Sequence, residues 1–312
     1  MSKKRKTVLI VIIVSLVSLG SSLAVMLNSS ANPKRIACEL PPTAIKDKTW
    51  QEILTQKGAI DRFKILNTGS VKVPLSGMLN IEKMEENHQL DELLWVDVLV
   101  FLFHHAERGW FMIDTGLDST FREDGNIKGF LAGNYIIESK QQHNQHIAAQ
   151  LKQENKDIQG IFFTHLHGDH TAGLPELPRS IPKYVGKGDE YLDIPLVYHP
   201  NHLSSDDELI EIDWSEGVKK KPFNRVIDIF GDGSLLGIHT PGHSKGHLSY
   251  LLMTLNGPVL LTGDASHTRY GFTHRIEPGW VHDQAAAEKS LAQLVEFHML
   301  FPVLEVIYGH QQ

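Results

Sequence analysis

Sulfur chemistry is nearly absent from this chain: its 312 residues include one cysteine, Cys38. A single thiol makes no intrachain disulfide, and Cys38 stands far in sequence from every histidine cluster, so it reads as a free thiol near the chain start. A surplus of positive charge is missing too. Thirty Lys and Arg against 37 Asp and Glu leave a formal net charge of -7. No global basic surface then exists to neutralise a phosphate backbone, and nucleic acid is not expected as a primary partner. Internal repeats and low-complexity tracts are also lacking. What remains is an ordinary globular composition, 41% hydrophobic and 21% charged, long enough for one large domain or two small ones.

The first thirty residues differ from the rest. Lys3, Lys4, Arg5 and Lys6 precede an uncharged stretch, residues 7–27, dominated by Val, Ile and Leu. That is the order of a positive n-region and an apolar h-region; it is longer than a usual signal core of about 7–15 residues and reaches the roughly 20 that a membrane span needs. Ser29 and Ala31 offer a cleavage site, and the basic flank would keep the N-terminus in the cytoplasm if the segment stays. Either outcome exports the remainder to the periplasm or the extracellular space, with membrane contact through this segment if it is uncleaved. Arg35 and Ile36 do not give Cys38 the small-residue context of a lipoprotein. The expected organisation is a signal peptide or membrane anchor at 1–31, a polar linker with one short helix at 32–61, and a catalytic domain at 62–312.

Within that domain, apolar strand-like runs end in polar or Gly residues: 93–103, then 110–113 before Asp114-Thr115-Gly116, then 161–164. Ile147, Ala148 and Leu151 at helical spacing lie between the last two, so strand, helix and strand alternate. Runs at 235–239, 248–254 and 259–262 follow, the last two joined through Asn256-Gly257, a hairpin signal. A helix over 284–298 leads to a strand over 303–308. The sum is a mixed α/β layered domain with sheets inside and helices outside.

The chemistry is concentrated in His165-Leu166-His167-Gly168-Asp169-His170, three imidazoles and a carboxylate directly after an apolar strand. Alternation in an extended segment sends His165 and His167 to one side, and a turn at Gly168 can bring Asp169 and His170 toward a second position. Matching singletons follow other strands: His243 in Thr240-Pro241-Gly242-His243, Asp264 after Gly263, and His310 after Gly309. Imidazole and carboxylate donors without cysteine suit zinc, iron, manganese or cobalt in a catalytic rather than a structural site. The acidic run at 204–211 and the basic run at 219–221 read as solvated faces.

These motifs resemble the metallo-β-lactamase superfamily from about Leu66 to the C-terminus. The resemblance implies an αββα sandwich. It also implies a first metal on His165, His167 and His243, a second on Asp169, His170 and His310, and Asp264 bridging both, with Asp114 orienting a ligating imidazole. Zinc is the leading identity for the two divalent ions. Among the branches, a carboxylate at Asp264 and the absence of a cysteine ligand depart from true zinc β-lactamases. Only two glutamines follow His310, which departs from glyoxalase II enzymes; His167 stands where flavo-diiron proteins would have Glu; and the acidic balance disfavours the RNA-processing branch. The segment from Leu261 to Thr268, with Pro278-Gly279-Trp280, is similar to N-acyl-homoserine lactonases, and Leu66 to Asn80 resembles their N-terminal active-site loop. One residue departs: His267 stands where those lactonases carry tyrosine, and histidine there is a feature of esterase- and phosphotriesterase-like relatives.

The implied reaction is hydrolysis of a small-molecule lactone or ester by a hydroxide bridging two metals about 3.5–4 Å apart. Asp169 would pass a proton to the leaving oxygen and His267 would support the developing oxyanion. Phosphotriesterase- or arylesterase-like hydrolysis, amide hydrolysis, and metal binding without turnover are the competing readings. His104, His105, His143, His146, His199, His202, His274, His282 and His298 read as surface or packing residues, and His239 and His247 as supports of the Pro-Gly-His turn. Composition leaves the oligomeric state open.

Overall fold

The computed structural model describes residues 31–84, 92–123, 125, 138–191 and 201–311. The signal peptide or anchor expected at 1–31 falls outside these residues except for its last position. Among the described residues no helix is long and apolar enough to cross a membrane.

In chain order the strands and α-helices are β1 (Lys34–Ala37), α1 (Trp50–Thr55), β2 (Ile60–Pro74), α2 (Leu75–Met78), β3 (Leu93–His105), β4 (Gly109–Ile113), β5 (Glu138–Lys140), α3 (Ile147–Glu154), β6 (Ile158–Phe162), α4 (Gly168–Thr171), β7 (Lys183–Gly186), β8 (Glu208–Ile212), β9 (Val218–Lys220), β10 (Phe223–Asp228), β11 (Leu235–His239), β12 (Leu248–Thr254), β13 (Gly257–Leu261), α5 (Arg269–His274), α6 (Gln284–Leu300) and β14 (Glu305–Ile307). One half of the sheet runs β1-β8-β7-β6-β4-β3-β2 with β5 on β2; the other runs β9-β10-β11-β12-β13-β14. A single pairing, Thr254 with Ile60, joins them. As the alternation of β4, α3 and β6 predicts, those two strands pair in parallel, whereas β11, β12 and β13 are antiparallel.

Period-two alternation decides the layers. Leu99, Phe101 and Phe103 of β3 face Leu248, Tyr250 and Leu252 of β12 in the core between the two halves. The intervening Val100 and Leu102 point the other way, onto Ile147 and Leu151 of α3. On the far side, Leu251 and Met253 of β12 pack with Leu291, Leu294 and Phe297 of α6. Helix, sheet, sheet and helix are therefore stacked, the expected αββα sandwich. Each such side chain, fully buried, contributes about 1.5–3 kcal/mol.

The stretch expected as a linker at 32–61 is instead part of these layers. β1 adds to the sheet edge in parallel with β8, Lys34 opposite Glu208 through Ala37 opposite Glu211. The one short helix in this stretch, α1, is fixed at its start by a capping box between Thr49 and Glu52. It buries Trp50, Ile53 and Leu54 against α6 and the outer face of β12. Polar composition was a poor guide here because a few large apolar side chains anchor an otherwise charged segment.

Candidate metal centre

Five strands end at the site. β4 delivers Asp114, β6 the 165–170 loop, β11 the turn carrying His243, β13 Asp264 and β14 His310. After Phe162 the chain bends at Thr164, is extended at His167 and then turns into α4; His165 and His167 group with His243, and Asp169 and His170 with His310. The His243 turn is braced by α6, where Ser290 Oγ donates to the Pro241 carbonyl at 2.7 Å. Gly309 is required by close approach: a Cβ there would lie 2.2 Å from Oδ1 of Asp264.

All seven expected ligands converge. Nε2 of His243 lies 3.1 Å from Nε2 of His165 and 2.8 Å from Nδ1 of His167. Oδ2 of Asp169 lies 3.7 Å from Nε2 of His170 and 3.4 Å from Nε2 of His310. Oδ2 of Asp264 sits between the two groups, 3.7 Å from His165 and 3.4 Å from His243 on one side, 3.3 Å from His170 and 3.4 Å from His310 on the other.

Neighbouring hydrogen bonds decide which ring nitrogens face inward. Oδ1 and Oδ2 of Asp114 accept from the backbone N–H and the hydroxyl of Thr164, each at 2.8 Å, and Oδ2 also accepts Nδ1–H of His170 at 2.8 Å. Having donated to Asp114, the Thr164 hydroxyl accepts from Nδ1 of His165 at 3.0 Å. Nδ1 of His310 donates to the Asp97 carbonyl at 2.8 Å. His165, His170 and His310 thus turn Nε2 to the centre, the orientation that outer partners impose on metal-binding imidazoles. Nε2 of His170 is buried and makes no hydrogen bond. Five inward-facing ring nitrogens crowded together in a buried site, with two carboxylates among them, fit a pair of divalent cations.

The charges agree. Burial pushes His165 and His243 well below the usual imidazole range, and adjacent rings add to it, so both are neutral donors. Burial would also lower His170 and His310, but the carboxylates outweigh it: Asp264, Asp114 and Asp169 hold His170 well above that range, and Asp264 with Asp169 lifts His310 to about 9. Burial would raise Asp264, yet His310, His170 and His267 hold it well below the carboxylate range. Protons on His170 and His310 do in the metal-free protein what a cation does in the loaded one.

His267 is brought to the centre as well. Its Nε2 lies 3.1 Å from Oδ2 of Asp264, while its Nδ1 faces the Met78 carbonyl at 2.9 Å. His247 supports the turn as expected: its Nε2 accepts the backbone N–H of Asp264 at 3.0 Å, its Nδ1 lies 2.8 Å from the Thr240 hydroxyl, and burial lowers it to about 3. His239 stacks on Trp214 with ring centroids 4.0 Å apart. Of the histidines read as packing or surface, His105 bonds Asp232 and His104 bonds Asp61. His202 is buried with Nδ1 2.8 Å from the Thr171 hydroxyl, and His199 lies outside the described residues.

One supporting residue escaped the sequence reading. Asp189 accepts the backbone N–H of Leu166 at 2.8 Å and that of Gly246 at 3.2 Å, tying the two loops that carry the first-metal ligands, and burial pushes its carboxyl up to about 6. An acidic residue just past the strand ending at Gly186 follows the same strand-end pattern as Asp264, and that is the signal by which it could have been found.

A model of the metallo-beta-lactamase superfamily matches residues 93–310. The chain belongs to this superfamily. As a superfamily member it is a metal-dependent hydrolase related to acyl-homoserine lactonases. It is 28% identical to an N-acyl homoserine lactonase of Bacillus sp. over 230 residues, 70% of this chain and 83% of that protein. It is 34% identical to gamma-lactamase MBL2 of Gibberella moniliformis over 134 residues, 38% of this chain and 56% of that protein. Its fold is similar to that of an N-acyl homoserine lactone hydrolase solved with the product N-hexanoyl-L-homoserine at its catalytic metal centre, with a TM-score of 0.61, 23% identity, and coverage of 81% of this chain and 94% of that one.

Proposed function

We propose that this superfamily member hydrolyses a lactone or ester at a centre of two zinc ions, with an acyl-homoserine lactone as the leading substrate. The observation that carries the reading is the pair of donor groups sharing Oδ2 of Asp264, His165, His167 and His243 on one side and Asp169, His170 and His310 on the other. The lactone class is supported by the Bacillus relative, itself an N-acyl homoserine lactonase, and zinc by the fold likeness to a dizinc quorum-quenching lactonase. When bound, two divalent ions supply Lewis acidity and bring the pKa of a water nucleophile down to about 7.

The protein's own groups do the rest. Asp264 is buried, with 4% of its side chain exposed, and serves as an anionic bridge; Asp169 is 21% exposed and can reach a substrate. Asp169 therefore carries the proton from the nucleophile toward the leaving oxygen, a transfer that needs a carboxylate within hydrogen-bond reach of both. The burial of His165, His243 and Asp264 keeps bulk water from the donor atoms, which strengthens every interaction with developing charge.

A second reading, phosphotriester or aryl-ester hydrolysis, is favoured by His267 at the position of the lactonase tyrosine. Steady-state kinetics of the zinc-loaded full-length protein on lactones of varied acyl chain, aryl esters and phosphotriesters separates the two. The highest kcat/KM is expected on lactones. A phosphotriester or aryl ester turned over faster than any lactone would establish the second reading, and no turnover on any class would make the chain a metal binder only.

The reading extends to location. The order of residues 3–27, basic then apolar, supports export of the domain from the cytoplasm, with retention at the membrane if that segment is uncleaved.

A further inference from the structure

His267 has the geometry of a ligand. A carbonyl oxygen only accepts, so the 2.9 Å contact between Nδ1 of His267 and the Met78 carbonyl puts a hydrogen on Nδ1. Nε2 is then the ring atom turned to the centre. It is aimed at Oδ2 of Asp264, 3.1 Å away, in a buried place. His310 repeats the arrangement: Nδ1–H on the Asp97 carbonyl, Nε2 3.4 Å from the same Asp264 oxygen. The donor atoms of His243, Asp264 and His267 lie within 4.8 Å of one another, the same closeness that groups the expected ligands.

The ring cannot easily turn away, because the segment holding Met78 is latched. Gly77 O accepts from the backbone of Gly279 at 3.2 Å and of Trp280 at 3.3 Å. Glu277, whose side chain is fully buried, accepts from Asn80 Nδ2 and Lys83 Nζ, each at 2.9 Å, and its carbonyl accepts Asn80 N–H at 2.8 Å. This latch fixes where the Met78 carbonyl stands, and the carbonyl fixes the direction of Nε2.

We infer that His267 binds metal through Nε2, on the His243 side of the centre, as an eighth donor beyond the seven read from the sequence. The inference rests on the two-metal reading. It also redefines the expected oxyanion role: with Nδ1–H held by the Met78 carbonyl and Nε2 turned to the ion, His267 offers no hydrogen to a substrate carbonyl.

Proton NMR of the full-length protein loaded with Co²⁺ tests this. Each ligating imidazole keeps one ring N–H, which gives a far-downfield signal lost in D₂O. His165, His167, His170, His243 and His310 account for five; a sixth is expected from His267. His267→Gln and His267→Phe should each remove that one signal and weaken one of the two ions by at least about tenfold in chelator competition. Five signals from a protein holding two cobalt ions would overturn the inference and leave the two-metal reading intact. An unchanged spectrum in His267→Gln would do the same. No bound cobalt in the wild-type protein would overturn both.

Discussion

Nδ1–H of His170 donates to Oδ2 of Asp114 at 2.8 Å, in a pocket where the same carboxylate accepts two further hydrogens from Thr164. Asp114 holds a left-handed backbone conformation, φ 59°, which places its carboxylate under the metal loop and which aspartate tolerates better than most residues. An amide accepts through one oxygen only, so Asp114→Asn leaves one of these donors facing a donor. Affinity for the ion on the His170 side should fall by about 10–100-fold while the other ion is retained, as read by chelator competition. Equal affinity for both ions in the variant would show that this contact does not orient His170.

Gly309 touches the bridge. A methyl group there would stand 2.2 Å from Oδ1 of Asp264 and 2.9 Å from the Gly263 carbonyl, and neither can move freely because Asp264 is held between five histidines and Gly263 between Thr164 and His247. Gly309→Ala should cost about 1–3 kcal/mol by overpacking and lower metal content at the same time. Thermal unfolding and elemental analysis check this together; a wild-type Tm with full metal content would contradict the packing described.

The charge arrangement fixes a pH dependence for the metal-free protein. His310 rises from 6.5 to about 9 because Asp264 and Asp169 outweigh its burial. A raised folded-state value stabilises the fold fully below about 6.5, and that stability is lost as pH climbs through about 9, a contribution on the order of 3 kcal/mol. EDTA-treated protein should therefore lose stability between pH 7 and 10, and His310→Asn should lose less, the remainder belonging to His170. Metal uptake follows the opposite sign, tightening with pH over the same window as the competing proton leaves. A flat wild-type profile would mean that His310 carries no such proton.

Much of the centre was legible because its ligands are side chains set at strand ends, four of them within six residues. Their supports were harder to read. Met78 and Asp97 act through backbone carbonyls, which leave no mark on residue type. Layered α/β order was legible in the succession of strand-like and helical runs and the sandwich in the resemblance, but the pairing of β1 with β8 joins residues about 170 apart and has no local signal. β2 was hidden for another reason: a register shift between Asn67 and Ser70 interrupts its pairing with β3, and the Asn67-Thr68-Gly69 stretch reads as a loop.

Export can be checked without purification. A reporter that is active only outside the cytoplasm, fused after Gln312, should be active, and replacing Lys3, Lys4, Arg5 and Lys6 with glutamate should reduce that activity by removing the positive flank. Activity of a cytoplasm-only reporter at the same position would overturn the proposed location.

The central claim is that the chain holds two metal ions through donors sharing Asp264. Elemental analysis of the full-length protein, purified without chelators and compared with Asp264→Ala, tests it most directly. Two ions per chain are expected in the wild type, with loss of one or both in the variant. One ion or none in the wild type, or two retained after Asp264 is removed, would contradict the account.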